Sequence, residues 1–236
     1  MRAMIVVMGV LVILAGAATA AEVWMDLGLG RNTLTLNELT DGSATYRGYD
    51  LQDGSMDAVT APGATVAFTL NRNWSLGVAY DRLVLDTTGV VPDALDRVGG
   101  EKTMAAHLPS HALRAVARWR PLRIGRVVWS VVGGLGIVDV SGTSRTVNDP
   151  AIPLDGEVEG TGILAEFGLS CRVMLRPRLG IYLDGGVRRA SIGSLTVGTG
   201  PLRADADGAT APFDLGGGYL KGGVTFLLPS DVASPD

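Results

Sequence analysis

One cysteine, Cys171, stands in 236 residues, so no internal disulfide can staple this chain. Histidine is almost as scarce, with only His107 and His111. There is no basic excess: 20 Lys and Arg stand against 24 Asp and Glu, a net charge of −4, and nothing suggests a nucleic-acid face. After residue 20 no apolar run approaches the about 20 residues of a spanning helix. No helical period is sustained there either. Residues 1–20 are set apart from the fold. Arg2 gives a positive start, Ile5 to Leu14 an apolar run, and Ala18-Thr19-Ala20 a small-residue cleavage site. That is the pattern of a secretory signal peptide, with removal expected before Ala21. No cysteine lies near that point, which argues against a lipoprotein anchor.

Glycine is what the chain has in excess, 33 residues, about twice the usual share of about 7 %. Glycine weakens an ordinary strand but suits tight curvature or a narrow interior. The other signal is alternation. From 61 to 85, Ala64, Val66, Phe68 and Leu70 share one face, and Trp74, Leu76, Val78 and Tyr80 continue it after Asn71-Arg72-Asn73. A period of two across such a break predicts a β-hairpin. Six further stretches repeat the pattern: 23–30, 112–120, 127–140, 163–175, 179–187 and 215–228. The reading is an all-β domain of eight antiparallel up-and-down strands over 21–228, with a polar tail at 229–236.

Connections alternate between short ones of about 3–5 residues and long ones of about 18–25, the second kind uncommon in compact domains. The stretch 86–109 reads as polar and irregular. Regular alternation of this sort is expected of a transmembrane β-barrel, with short turns at one end and long external loops at the other. In lipid the apolar face points out. The inward set is then Asp26, Asp81, Arg114, Arg118, Glu166, Arg172, Asp184, Arg188 and Lys221, with Tyr219. Isolated buried charges are costly, so these should pair. An interior of eight strands is only wide enough for side chains, which predicts a plugged core. Trp74, Trp119 and Trp129 flank short turns and fit an aromatic girdle. A soluble lipocalin-like barrel with inverted faces is the alternative. Its water-facing coat would be thin in charge.

The last strand carries the one family signature. Lys221, Gly223, Phe226 and Leu228 match the C-terminal assembly signal of bacterial outer-membrane proteins. The whole of 21–228 resembles the eight-stranded barrels of the OmpA/OmpX type, a general outer-membrane β-barrel domain. The resemblance implies residence in the outer membrane among its lipid and lipopolysaccharide, recognition by the barrel assembly machinery, and a monomer. It implies a structural or surface-interaction role. The polar tail departs from the family, which usually stops at its terminal aromatic. No peptidoglycan-binding domain follows, so that role is not carried over.

Catalysis is a poor fit. Ser110 lies between His107 and His111, and a Ser–His pair could serve acyl transfer. Adjacent strand residues point to opposite faces, however, and Pro109 stands where the barrel deacylase pattern needs its serine. The loop carboxylates Asp41, Asp50, Asp53, Asp57, Asp205 and Asp207 do not spell a calcium loop. No catalytic residue, metal or cofactor is expected. A small-solute channel and a lipid A-modifying enzyme are the competing functions.

Overall fold

The computed structural model describes residues 22–36, 45–46, 49–50, 52–56, 59–92, 101–146, 156–197, 200–201 and 213–229. The segment read as a signal peptide, the carboxylates Asp41, Asp57, Asp205 and Asp207, and residues 230–236 lie outside them. Eight long strands form the body: β1 Glu22–Leu36, β2 Val59–Thr69, β3 Trp74–Pro92, β4 Glu101–Ile124, β5 Val127–Thr146, β6 Gly156–Arg176, β7 Leu179–Val197 and β8 Phe213–Pro229. Each pairs antiparallel with its neighbour in the chain. β8 pairs with β1 from Glu22–Pro229 to Leu36–Leu215, so the sheet closes. Closure leaves no unpaired edge, which hydrocarbon would not tolerate.

The strands are strongly tilted. Following paired residues once round from Asp26 leads through Thr65, Ala79, Arg114, Gly136, Leu164, Ala190 and Leu215 and returns to β1 at Leu36. The return point, residue 36 against residue 26, is a stagger of ten. Stagger of this kind fixes tilt and diameter together.

Two details of the connections differ from expectation. The stretch 86–109 is mostly ladder: β3 and β4 stay paired from Trp74–Trp119 to Pro92–Glu101. Past the bilayer both faces of a strand meet water, so alternation vanishes while the hydrogen-bond ladder continues. The β3–β4 and β5–β6 connections are accordingly only residues 93–100 and 147–155. The turns are also tighter than expected, at 125–126 and 177–178. Gly125 adopts φ 59°, a left-handed conformation that glycine takes without strain. At the first turn Asn71 Oδ1 accepts hydrogen bonds from the backbone N–H of Asn73 (2.9 Å) and Trp74 (3.0 Å), a local Asx closure.

The outer wall is apolar. Leu29, Leu135, Ile163, Phe167, Leu169, Leu183 and Val187 are all exposed. On β7 the outward series Leu179, Ile181, Leu183, Val187 ends at exposed Arg189. Ten residues at about 3.3 Å each, tilted by about 40°, span about 25 Å. That matches the apolar band of about 25 Å on barrels that span a membrane. Trp74, Trp119 and Trp129, 44, 43 and 43 % exposed, lie at the turn end on the adjacent strands β3, β4 and β5. Trp74 and Trp119 are direct cross-strand partners.

Candidate functional site: the charged interior

Strand parity sends every second residue inward. On β4 these are Ser110, Ala112, Arg114, Val116 and Arg118, all buried; on β7 they include Tyr182, Asp184, Arg188, Ala190 and Ile192. The nine charged residues of the inward set gather in two layers.

Nearer the turns, Asp26 is the hub. Its Oδ2 lies 2.9 Å from Arg118 Nη1 and 2.7 Å from Arg172 Nη2. Thr225 Oγ1 donates to its Oδ1 at 2.6 Å. Arg118 also reaches Asp184 Oδ2 at 3.4 Å. Two carboxylates face two guanidiniums, so this layer is neutral. The second layer is built on Asp81 and Glu166. Lys221 Nζ donates to Asp81 Oδ1 at 2.7 Å. Arg188 Nη2 donates to both Asp81 Oδ2 and Glu166 Oε2 at 2.9 Å. Arg114 is ion-paired with both carboxylates, its Nη1 2.7 Å from Asp81 Oδ2 and its Nε 3.2 Å from Glu166 Oε1. Among the described residues this layer carries one more cation than it has carboxylates.

Ion pairs this deep persist only with several partners each, because the desolvation penalty is large. Every carboxylate except Asp184 has at least two cationic partners. Aromatic rings add to this: the Arg188 guanidinium lies 4.9 Å from the Tyr219 ring centroid, and Arg172 lies 5.5 Å from that of Trp24. Glycine supplies the room. A side chain at Gly63 would collide with Asp81 and Lys221, and one at Gly134 with Glu166.

Above the second layer, toward the loops, the inner face turns apolar. Leu83, Val138, Val140, Leu164, Ala190 and Ile192 are buried there. This differs from the expectation of a polar inner face throughout. Near the mouth the inner face is therefore filled by apolar side chains rather than by ion pairs among the described residues.

Three further groups share the charged interior. Trp24 shares parity with Asp26, is 8 % exposed, and donates from Nε1 to Thr69 Oγ1 at 3.2 Å. Thr225 and Tyr182 are likewise buried among the charges. Residue parity along their strands sends all three inward. The Ser–His grouping is split by the wall: Ser110 is buried inside, whereas His111 is outside, its Nδ1 2.7 Å from Tyr80 Oη. The side chain of His107 lies outside the described residues. No cluster of three potential metal ligands occurs among the described residues.

Fold and interior together define a class: a closed eight-stranded antiparallel transmembrane β-barrel with an ion-paired core. No family model matches the chain, and no curated protein matches it. Solved structures similar to it include the outer membrane protein OprG from Pseudomonas aeruginosa, at 14 % identity, covering 89 % of this chain and 97 % of that one, TM-score 0.47. Neisserial surface protein A is similar at 13 % identity, covering 87 % and 95 %, TM-score 0.45. Ail, the attachment invasion locus protein of Yersinia pestis, is similar at 10 % identity, covering 88 % and 100 %, TM-score 0.48.

Proposed function

We propose that this chain is an integral protein of a bacterial outer membrane, of the OmpA/OmpX type, that serves a structural or surface-interaction role and neither conducts nor catalyses. The observation that carries this reading is the interior of the barrel: two ion-pair layers and, beyond them toward the loops, a band of buried apolar side chains. Opening a path for solutes would strip several buried charges of their partners at once, each at a cost of about 3–5 kcal/mol. Short turns at one end and longer connections at the other fit insertion with the turns on the periplasmic side. The barrel meets outer-membrane lipid and lipopolysaccharide as a monomer. Its last strand, with Lys221, Gly223, Phe226 and Leu228, is what the barrel assembly machinery reads.

The test has two parts. The protein should fractionate with outer membranes and migrate differently on gels before and after heating. Reconstituted in planar bilayers it should give no stable open state. A sustained conductance in the nanosiemens range would refute the sealed lumen.

A further inference from the structure

At the turn end the lumen opens into a vestibule of about 990 Å³. Trp24 forms its floor, under the Arg172 guanidinium. Its walls carry Arg72, Arg120, Arg123, Arg126 and Arg176 against a single carboxylate, Glu22. These arginines come from the first turn, from the β4–β5 corner and from the end of β6, so the fold gathers them from distant parts of the chain. Two are held by backbone oxygens. Arg120 Nη2 donates to Asn71 O at 3.1 Å and Trp74 O at 3.3 Å. Arg126 Nη1 donates to Leu175 O at 3.5 Å. Among the described residues none of the five is ion-paired with a carboxylate.

Five guanidiniums around one recess repel one another, and the low-dielectric wall focuses their potential. All five are arginine, whose planar fork matches carboxylate and phosphate oxygens in pairs. Rim cations that merely reach for lipid would splay outward from the wall. These line the mouth instead, where acyl lipid does not come.

We propose that this vestibule is an oxyanion-binding site, taking a ligand with clustered carboxylate or phosphate groups from the aqueous space at the turn end. Two sources of that chemistry are at hand. One is a soluble polyanion. The other is this chain: Leu227 lines the vestibule, Pro229 pairs with Glu22 at its rim, and the residues that follow include Asp231 and Asp236.

The experiment uses the barrel, without its first 20 residues, folded in uncharged detergent micelles at low salt, with pyrophosphate as the added anion. Binding is followed by calorimetry and phosphorus NMR. Saturable binding is expected. Arg123→Gln with Arg126→Gln should weaken it about ten-fold or more, and Glu22→Gln should tighten it. Arg123 and Arg126 are exposed and Glu22 is half-buried, and heat-modifiable migration checks that each variant folds. A chain ending at Pro229 separates the sources. An affinity about ten-fold higher than that of the longer chain assigns the site to the chain's own aspartates; equal affinities assign it to a soluble anion. Absence of saturable binding to both lengths, or binding indifferent to the paired arginine substitution, would overturn the proposal. The assay needs only a folded barrel, so its outcome is independent of cellular location and of conductance.

Discussion

Replacing Asp26 by Asn keeps the shape of the hub and removes its charge. Asp26 is fully buried and takes three contacts from Arg118 and Arg172, at 2.9, 2.7 and 3.4 Å. Removing one partner of a buried ion pair costs about 3–5 kcal/mol, because the other charge is stranded. Here two guanidiniums are stranded, but each keeps something. Arg118 retains Asp184 at 3.4 Å, and Arg172 retains the face of Trp24. The loss should therefore fall in the lower part of the range, about 3–4 kcal/mol. Asp184→Asn breaks only the 3.4 Å contact and should cost about 1 kcal/mol. Urea unfolding in lipid vesicles, followed by tryptophan fluorescence and by gel mobility, measures both. Adding Arg172→Met to Asp26→Asn should recover about 2 kcal/mol, since a stranded charge is removed with it. If Asp26→Asn costs less than about 1 kcal/mol, water reaches these guanidiniums. The lumen is then wet, and the argument for a sealed interior fails.

Other substitutions test the remaining parts. Leu169→Arg places a charge on the outer wall near the middle of the apolar band and should cost about 2–4 kcal/mol, whereas Ile124→Arg at the turn should cost about 0–1 kcal/mol. Equal costs in the same vesicle titration would mean that the band does not face hydrocarbon. Gly63→Leu drives a side chain into Asp81 and Lys221 and should sharply reduce the heat-modifiable folded fraction. Gly133→Ala meets open space and should leave that fraction unchanged. Thr225→Val removes the donor to Asp26 and should destabilise by about 1 kcal/mol in the urea titration. Lipid A from expressing cells should give the same mass spectrum as lipid A from cells without the protein, and Ser110→Ala should not alter it.

Alternation made much of the fold legible. The faces of β1, β4 and β7 follow from residue parity, and parity sends Asp26, Arg114, Arg118, Asp184 and Arg188 to one side. What parity cannot give is who meets whom. Asp26 touches Arg172, 146 residues away, across the lumen. That contact depends on the ten-residue stagger, which is set by the pairing of all eight strands together and leaves no local mark. The wall beyond the membrane was hidden for a different reason. Between Asp86 and Pro109 the apolar residues are too few and too irregularly spaced to alternate, with Val90 beside Val91 and Met104 four residues from Leu108, so the same backbone ladder that reads as strand lower down reads as loop. The arginine vestibule was half visible. Arg120, Arg123 and Arg126 are near neighbours in the chain, but only closure of the barrel brings Arg72 and Arg176 to the same recess.

The charged layers bear on more than the interior they occupy. An apolar wall facing lipid does not by itself tell a strand which of its faces should point out. In β5 the inner face offers Val128, Val132, Val138 and Val140, and the outer face Leu135 and Ile137, so either could sit in hydrocarbon. A slip of one residue would exchange the faces. For β4 that slip would turn Arg114 and Arg118 to the acyl chains, at about 2–4 kcal/mol for a charge near the midplane and less for Arg118 beside the turn-end tryptophans, and would leave Asp26 and Asp81 with fewer partners. β7 would expose Asp184 and Arg188 in the same way. The strands that carry the charges therefore fix the register, and β5, which carries no inward charge in its described span, inherits it through pairing with β4 and β6. This assigns the buried ion pairs a role in specifying one closure of the sheet, separate from whatever net stability they contribute. On that reading, exchanging both partners of a pair for apolar residues should preserve stability better than it preserves a single folded species.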